Sequence, residues 1–271
     1  MLLVFHKNHF QLEDVNTIKN VLKKDRVIIV SALLVICILS WVYIIYLYKQ
    51  MAVMNMDAAF FAMPMTPSWT IVDFALLFVM WFVMMIAMMT PAVAPLTLIF
   101  TMINRQRQQQ NRPFVNTAYL ITGYFLVWAA FSLAATSLQW LLQHVSLLNP
   151  EMKTTDKIVG SLILIAAGIF QLTPLKQTCL QNCRTPLVFV NRHWREGKRA
   201  ALRMGIQNGF YCLGCCWMLM VLLFVAGIMN LLWVALIAVF VLVEKVAPSI
   251  KWLSYATGLV LIVYGIIYFI T

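Results

Sequence analysis

Five of the six cysteines lie in two short groups whose spacing suits the binding of a soft metal ion. The groups are Cys179-x3-Cys183 and Cys212-x2-Cys215-Cys216. On a helix the three thiols of the second group fall within an arc of about 100°, and the two of the first are one turn apart. Thiolates bind Cu(I) or Zn. One helix cannot surround an ion, so the spacing predicts a site shared by two helices, holding Cu(I), with Zn as the alternative.

Eleven of the 17 methionines lie between residues 51 and 102, and the thioether is also a soft ligand. One set precedes an apolar run and lies near Asp57: Met51, Met54, Met56, Met63 and Met65. A second set lies inside that run, with Met84, Met85, Met88 and Met89 on or beside one helical face. Both sets together predict a track of soft ligands toward the cysteines. Flexible packing of the second set is the open alternative.

Two acidic residues border the apolar runs and are candidates for function, because a carboxylate near hydrocarbon is costly. Glu244 is predicted either to bind or orient the metal, or to form an ion pair with Lys245, Lys251 or Arg184. Asp73, at the start of the second run, is either functional or solvated.

The elements that must position these residues are transmembrane helices. The chain has 271 residues, is 63% hydrophobic and 11% charged, and its mean hydropathy is +0.86. Its apolar runs have the length that crosses about 30 Å of hydrocarbon, and only helices satisfy the backbone within one such run. The fold class is therefore all-α, a polytopic bundle of about seven spans, predicted at 27–48, 70–100, 115–142, 158–175, 206–227, 229–247 and 252–270.

Basic residues give the predicted orientation, because cytoplasmic loops are enriched in Lys and Arg. The two sides of a seven-span chain carry 17 and 3 of the 20 basic residues. The N-terminus is predicted to be cytoplasmic and the C-terminus outside, in an inner membrane. Residues 1–26 then form a cytoplasmic N-terminal segment, in which an amphipathic helix and a solvated tail are both open. Residues 27–271 form a single transmembrane domain.

This orientation places both cysteine groups at the cytoplasmic ends of spans four and five. A reducing cytosol disfavours disulfides there, which favours metal binding over redox chemistry. The sequence lacks a Walker-type loop, a Gly-x-Gly-x-x-Gly motif and a nucleophile elbow. It therefore favours a non-enzymatic role without nucleic acid as a partner, since the excess of basic residues follows the topology.

Three strings resemble a bacterial family of metal-binding integral membrane proteins, some of whose members are described as copper chaperones. The strings are MMIAMMTPAVAP (84–95), QLTPLKQTCLQNCRTPLVF (171–189) and GFYCLGCCWMLMVLLFVAGIMNLLWVALIAVFVLVEKVAP (209–248). The resemblance implies a polytopic protein that handles a soft metal. It implicates ten residues: Met84, Met85, Met88, Met89, Cys179, Cys183, Cys212, Cys215, Cys216 and Glu244.

We therefore expect a Cu(I)-binding membrane protein that acts as a metal chaperone or accessory factor for a copper enzyme or a soluble copper protein. Two alternatives remain open at this point. A membrane thiol-disulfide oxidoreductase would use the cysteines as redox pairs, and a passive metal transporter would use the same ligands as a path.

Overall fold

The computed structural model describes residues 27–49, 70–144, 157–228, 230–247 and 251–270. These ranges are helical and contain no strand, which confirms the all-α prediction. The N-terminal segment 1–26 and the Met-rich stretch 51–65 lie outside the described residues. The helices are α1 (Val27–Lys49), α2 (Ile71–Gln109), α3 (Ala118–His144), α4 (Lys157–Leu172), α5 (Pro174–Arg184), α6 (Pro186–His193), α7 (Lys198–Val221), α8 (Leu223–Ala226), α9 (Leu231–Val246) and α10 (Lys251–Ile270).

Five helical segments are long and apolar enough to cross a membrane: α1, α2, α3, α7 with α8, and α10. A sixth arises if α4 and α5 count as one span, although a bend of 62° separates them. The predicted span 229–247 corresponds to α9, whose 16 residues extend about 24 Å, less than the hydrocarbon thickness of about 30 Å. The prediction of seven spans is therefore confirmed only in part, as five or six.

Helix α2 runs without interruption through Pro91 and Pro95, although a proline inside a helix removes a backbone hydrogen bond. Pro91 has no N–H to donate to the carbonyl of Ala87 one turn earlier. The Cys37 thiol of α1 donates to that carbonyl at 3.5 Å. A neighbouring helix thus supplies a partner for the carbonyl that the proline leaves free.

Glycines bring α3 and α7 into backbone contact. A Cβ added at Gly205 would lie 2.0 Å from the carbonyl oxygen of Leu120, and one at Gly123 would lie 2.2 Å from that of Leu202. Small residues permit this approach between membrane helices. The Gly205-x3-Gly209 spacing therefore lets the backbone of α7 pack directly against α3.

The bend between α4 and α5 is encoded locally. The Thr173 side chain caps α5 by accepting from the Lys176 amide, and Pro174 occupies the first turn, the position where its missing N–H costs least. The residue before a proline also leaves the helical region. The chain therefore restarts as α5, which packs against α7 and brings the first cysteine group to the second.

Candidate metal centre

Helix α7 carries its three cysteines into the interior of the bundle. Cys212, Cys215 and Cys216 are 2%, 2% and 1% exposed, which is the shared face that their spacing predicts. Helix α7 begins at Lys198, so Cys212 lies about 21 Å along its axis. The thiols therefore lie well past the first turns of α7, because the basic residues that precede them in the sequence belong to the same helix.

Helix α5 brings the other two cysteines to α7. The Cys183 side chain packs against the buried core that contains Cys212, Cys215 and Cys216, across the interface between the two helices. Cys179 is half-buried and packs on Gly214, where an added Cβ would lie 3.0 Å from its sulfur. All five cysteines are free thiols, and they share one region of the bundle.

Helix α2 contributes a thioether to the same region. The Met89 sulfur lies 4.0 Å from the Cys212 sulfur. Met84, Met85 and Met88 are also buried, at 3%, 0% and 2% exposure, and they belong to the same hydrophobic core as the α7 cysteines. The methionine face of α2 is therefore directed into the bundle, and Met89 is the member that reaches a cysteine.

Two further side chains contact Cys212, and sequence reasoning did not assign either to the site. The Lys245 ammonium lies 2.8 Å from the Cys212 sulfur and 3.8 Å from the Met89 sulfur. The Tyr124 hydroxyl lies 2.9 Å from the same Cys212 sulfur and 3.3 Å from the Met89 carbonyl oxygen. The sequence did contain a signal for Lys245, because this residue follows Glu244 directly at the end of an otherwise apolar helix.

Glu244 faces a cation of α5 in the structure. Both of its carboxylate oxygens accept from the Lys176 ammonium, at 2.7 and 2.8 Å, and the Ser254 hydroxyl donates to one of them at 2.6 Å. Lys176 also donates to the Gln171 side chain, and Arg184 donates to the Glu244 backbone carbonyl at 2.7 Å. Sequence reasoning considered Lys245, Lys251 and Arg184 as partners of Glu244 and missed Lys176.

Asp73 forms a capping box with Thr70 at the start of α2. The carboxylate accepts from the Thr70 amide at 2.8 Å and from its hydroxyl at 2.7 Å, and the Asp73 amide donates back at 3.3 Å. This arrangement satisfies donors at the helix N-terminus. Asp73 therefore caps helix α2. The sequence alone did not decide whether this residue is functional or solvated.

The cysteine side chains point partly into their own helix. The Cys215 and Cys216 thiols donate to the Cys212 carbonyl at 3.0 and 2.9 Å. In the described ranges no group of three or more His, Cys, Asp or Glu side chains is arranged to hold a metal ion. Metal binding therefore requires rotation of thiols about χ1, which a helical cysteine accomplishes without backbone movement.

The donor set is chemically suited to a soft metal ion. It consists of thiols and a thioether in a buried, mostly apolar region, and soft sulfur ligands of this kind favour ions such as Cu(I) or Zn over hard cations. The histidines of the described ranges, His144 and His193, lie at helix ends away from this region.

Comparison with known proteins agrees with this chemistry. No curated protein and no solved structure matches the chain. Residues 78–268 match the PpoB2 family, whose description is copper chaperone. The match begins within α2 and ends within α10, so it includes all five clustered cysteines and the methionine face. The chain belongs to the PpoB2 family of copper chaperones.

Proposed function

We propose that the protein is a Cu(I)-binding integral membrane chaperone that delivers copper to a copper enzyme or a soluble copper protein. The observation that carries this proposal is the convergence of sulfur from three helices in one buried cluster. Cys183 comes from α5, three thiols come from α7 and Met89 comes from α2. Membership of a copper chaperone family supports the choice of copper.

The proposed roles follow from position. The five clustered cysteines hold the ion, and Met89 is the thioether closest to them. Met84, Met85 and Met88 continue the buried sulfur face along α2 and are proposed to pass the ion along it. Glu244 is proposed to orient the site, since its pair with Lys176 joins α9 to α5, the helix that carries Cys179 and Cys183.

The proposed setting is an inner membrane, with the N-terminus in the cytoplasm and seven crossings. This number counts the five long spans, the bent pair α4–α5 as one crossing and the short α9 as another. The basic residues at the end of α6 and the start of α7, among them Arg192, Lys198 and Arg199, support the orientation. A bend and a short helix at the cluster fit a metal site, because irregular backbone within a membrane occurs where it is buried in protein.

Copper binding to the purified protein tests the proposal. In detergent and under reducing conditions, we expect the wild-type protein to retain Cu(I) against a weak chelator. A variant with all five clustered cysteines changed to Ser is expected to lose it, because serine hydroxyls are hard ligands. Cys37→Ser is the matched control and is expected to bind as the wild type does. Equal Cu(I) retention by the wild type and the five-serine variant would contradict the proposal.

A thiol-disulfide oxidoreductase is the second candidate, because the Cys183 and Cys215 thiols are close enough to interact. Alkylation of membranes under native conditions, followed by mass measurement, separates the two functions. A metal chaperone predicts free thiols that bound Cu(I) protects from alkylation. A redox enzyme predicts a Cys183–Cys215 disulfide in a large fraction of the molecules.

A further inference from the structure

Lys245 is a buried cation without a carboxylate partner in the described part of the chain. Lys245 is only 7% exposed. Its ammonium contacts the Cys212 and Met89 sulfurs. The ion pairs among the described residues are Lys176–Glu244 and Arg107–Glu196. A buried charge is costly unless a compensating charge is present, so the position of Lys245 requires an explanation.

Among the buried Lys, Arg, Asp and Glu side chains that the structure describes near the cluster, one positive charge has no carboxylate partner. Lys176 and Glu244 compensate each other, with side chains 0% and 2% exposed. Arg184 is partly exposed at the end of α5 and donates to the Glu244 backbone carbonyl. Lys245 is the cation without such a partner among these described side chains. The groups that act electrostatically on its ammonium are Cys212, Cys215, Cys216 and Tyr124.

We propose that Lys245 is the counter-ion of the copper-loaded cluster, an inference that rests on the proposed function. Two thiols that bind Cu(I) release their protons to water and form two copper–sulfur bonds. The product has one monovalent cation and two thiolates, and therefore a net charge of minus one. The ammonium of Lys245 makes this buried group electroneutral.

The contacts of Lys245 place its ammonium beside the proposed ligands, 2.8 Å from the Cys212 sulfur and 3.8 Å from the Met89 sulfur. A Cu(I) ion held by Cys212 and a second cysteine would therefore lie close to this ammonium. Attraction between charges grows several-fold as the effective dielectric constant falls from that of water to that of a protein interior. A lysine here stabilises the loaded form far more than a surface lysine would.

Cu(I) affinity measured by competition with bathocuproine disulfonate tests the role of Lys245. We expect Lys245→Leu, which removes the charge without adding a sulfur ligand, to weaken Cu(I) binding at least tenfold. Lys245→Arg keeps the charge and is expected to bind more tightly than Lys245→Leu. Lys49→Leu makes the same change in net charge at an exposed position at the end of α1 and is expected to leave the affinity unchanged.

Thermal unfolding of the metal-free proteins separates a counter-ion from a structural residue. Removal of a buried cation that has no carboxylate partner is expected to leave the unfolding temperature equal or higher. A Lys245→Leu protein that is less stable or unfolded without metal would overturn the proposal. So would equal Cu(I) affinities of Lys245→Leu and the wild type, or equal weakening by Lys245→Leu and Lys245→Arg.

Failure of this inference is distinguishable from failure of the proposed function. A wild-type protein that retains no Cu(I) contradicts the proposed function and removes the basis of the inference. A wild-type protein that binds Cu(I) through the five cysteines, with an affinity that Lys245→Leu leaves unchanged, contradicts the counter-ion role alone.

Discussion

At the scale of single residues, the two ion pairs of the described chain differ in burial. Lys176 and Glu244 are fully enclosed, whereas Glu196, the partner of Arg107, is 59% exposed. Loss of one partner from a buried pair leaves an uncompensated charge, whereas water replaces a partner at the surface. Loss of one partner is therefore expected to cost far more stability in the Lys176–Glu244 pair than in the Arg107–Glu196 pair.

Glu244→Gln is expected to destabilise the protein by about 3–5 kcal/mol, because it leaves the Lys176 ammonium buried and unpaired. The matched control Glu196→Gln is expected to cost about 1 kcal/mol or less. Denaturant unfolding in detergent measures both. Comparable losses in the two variants would contradict the assignment of Lys176–Glu244 as a buried pair.

The double variant Lys176→Met with Glu244→Leu separates a structural role of Glu244 from a role as a metal ligand. It removes both charges and is expected to regain most of the stability that Glu244→Gln loses, since apolar replacement of a buried pair is often neutral. Cu(I) affinity measured on the same protein then reports on Glu244. Wild-type affinity would exclude Glu244 as a ligand, and a large loss would support it.

At the scale of elements, glycines decide how closely α3 and α7 approach. Gly205 and Gly123 meet backbone atoms of the opposite helix, and backbone cannot move aside as a flexible side chain does. The cysteines are on the same helix as Gly205, only a few turns away. The position of the thiols therefore depends on this helix contact.

Gly205→Ala is expected to destabilise the protein by about 1–3 kcal/mol, because the added methyl overlaps the Leu120 carbonyl and forces the helices apart. Gly160→Ala is the control, since its methyl meets only the edge of the Tyr268 ring, at 3.0 Å. Thermal unfolding in detergent compares the two. A smaller loss at Gly205 than at Gly160 would show that the α3–α7 contact tolerates separation.

At the scale of the whole molecule, the order of the helices and the distribution of charge specify which loops share a side. Lys49 ends α1, and Arg112 lies in the connection between α2 and α3. One crossing, by α2, separates them. The proposed orientation places Lys49 outside and Arg112 in the cytoplasm.

Labelling with a membrane-impermeant maleimide tests this orientation. Lys49→Cys is expected to react in intact spheroplasts, and Arg112→Cys is expected to react only after permeabilisation. Both side chains are exposed, so burial does not account for a difference, and the wild-type protein serves as the blank for the native cysteines. The opposite pattern would reverse the orientation and place the cysteine cluster nearer the outer face.

Local patterns predicted much of the architecture. Apolar runs predicted helices, and their spacing placed Cys212, Cys215 and Cys216 on one buried face. The one-turn spacing of Cys179 and Cys183 holds in α5, which carries them on consecutive turns. The number of spans was predicted less well, because apolar length alone revealed neither the bend between α4 and α5 nor the shortness of α9.

The sequence by itself determined the helical class, the buried faces and the supply of soft sulfur ligands, because these follow from periodicity and residue type over short stretches. The tertiary structure alone decided which side chains meet. Lys245 reaches Cys212 across 33 positions of the chain, and Lys176 reaches Glu244 across 68. Periodicity specifies the face that a residue occupies but not the helix that covers it, and that choice depends on the packing of the whole bundle.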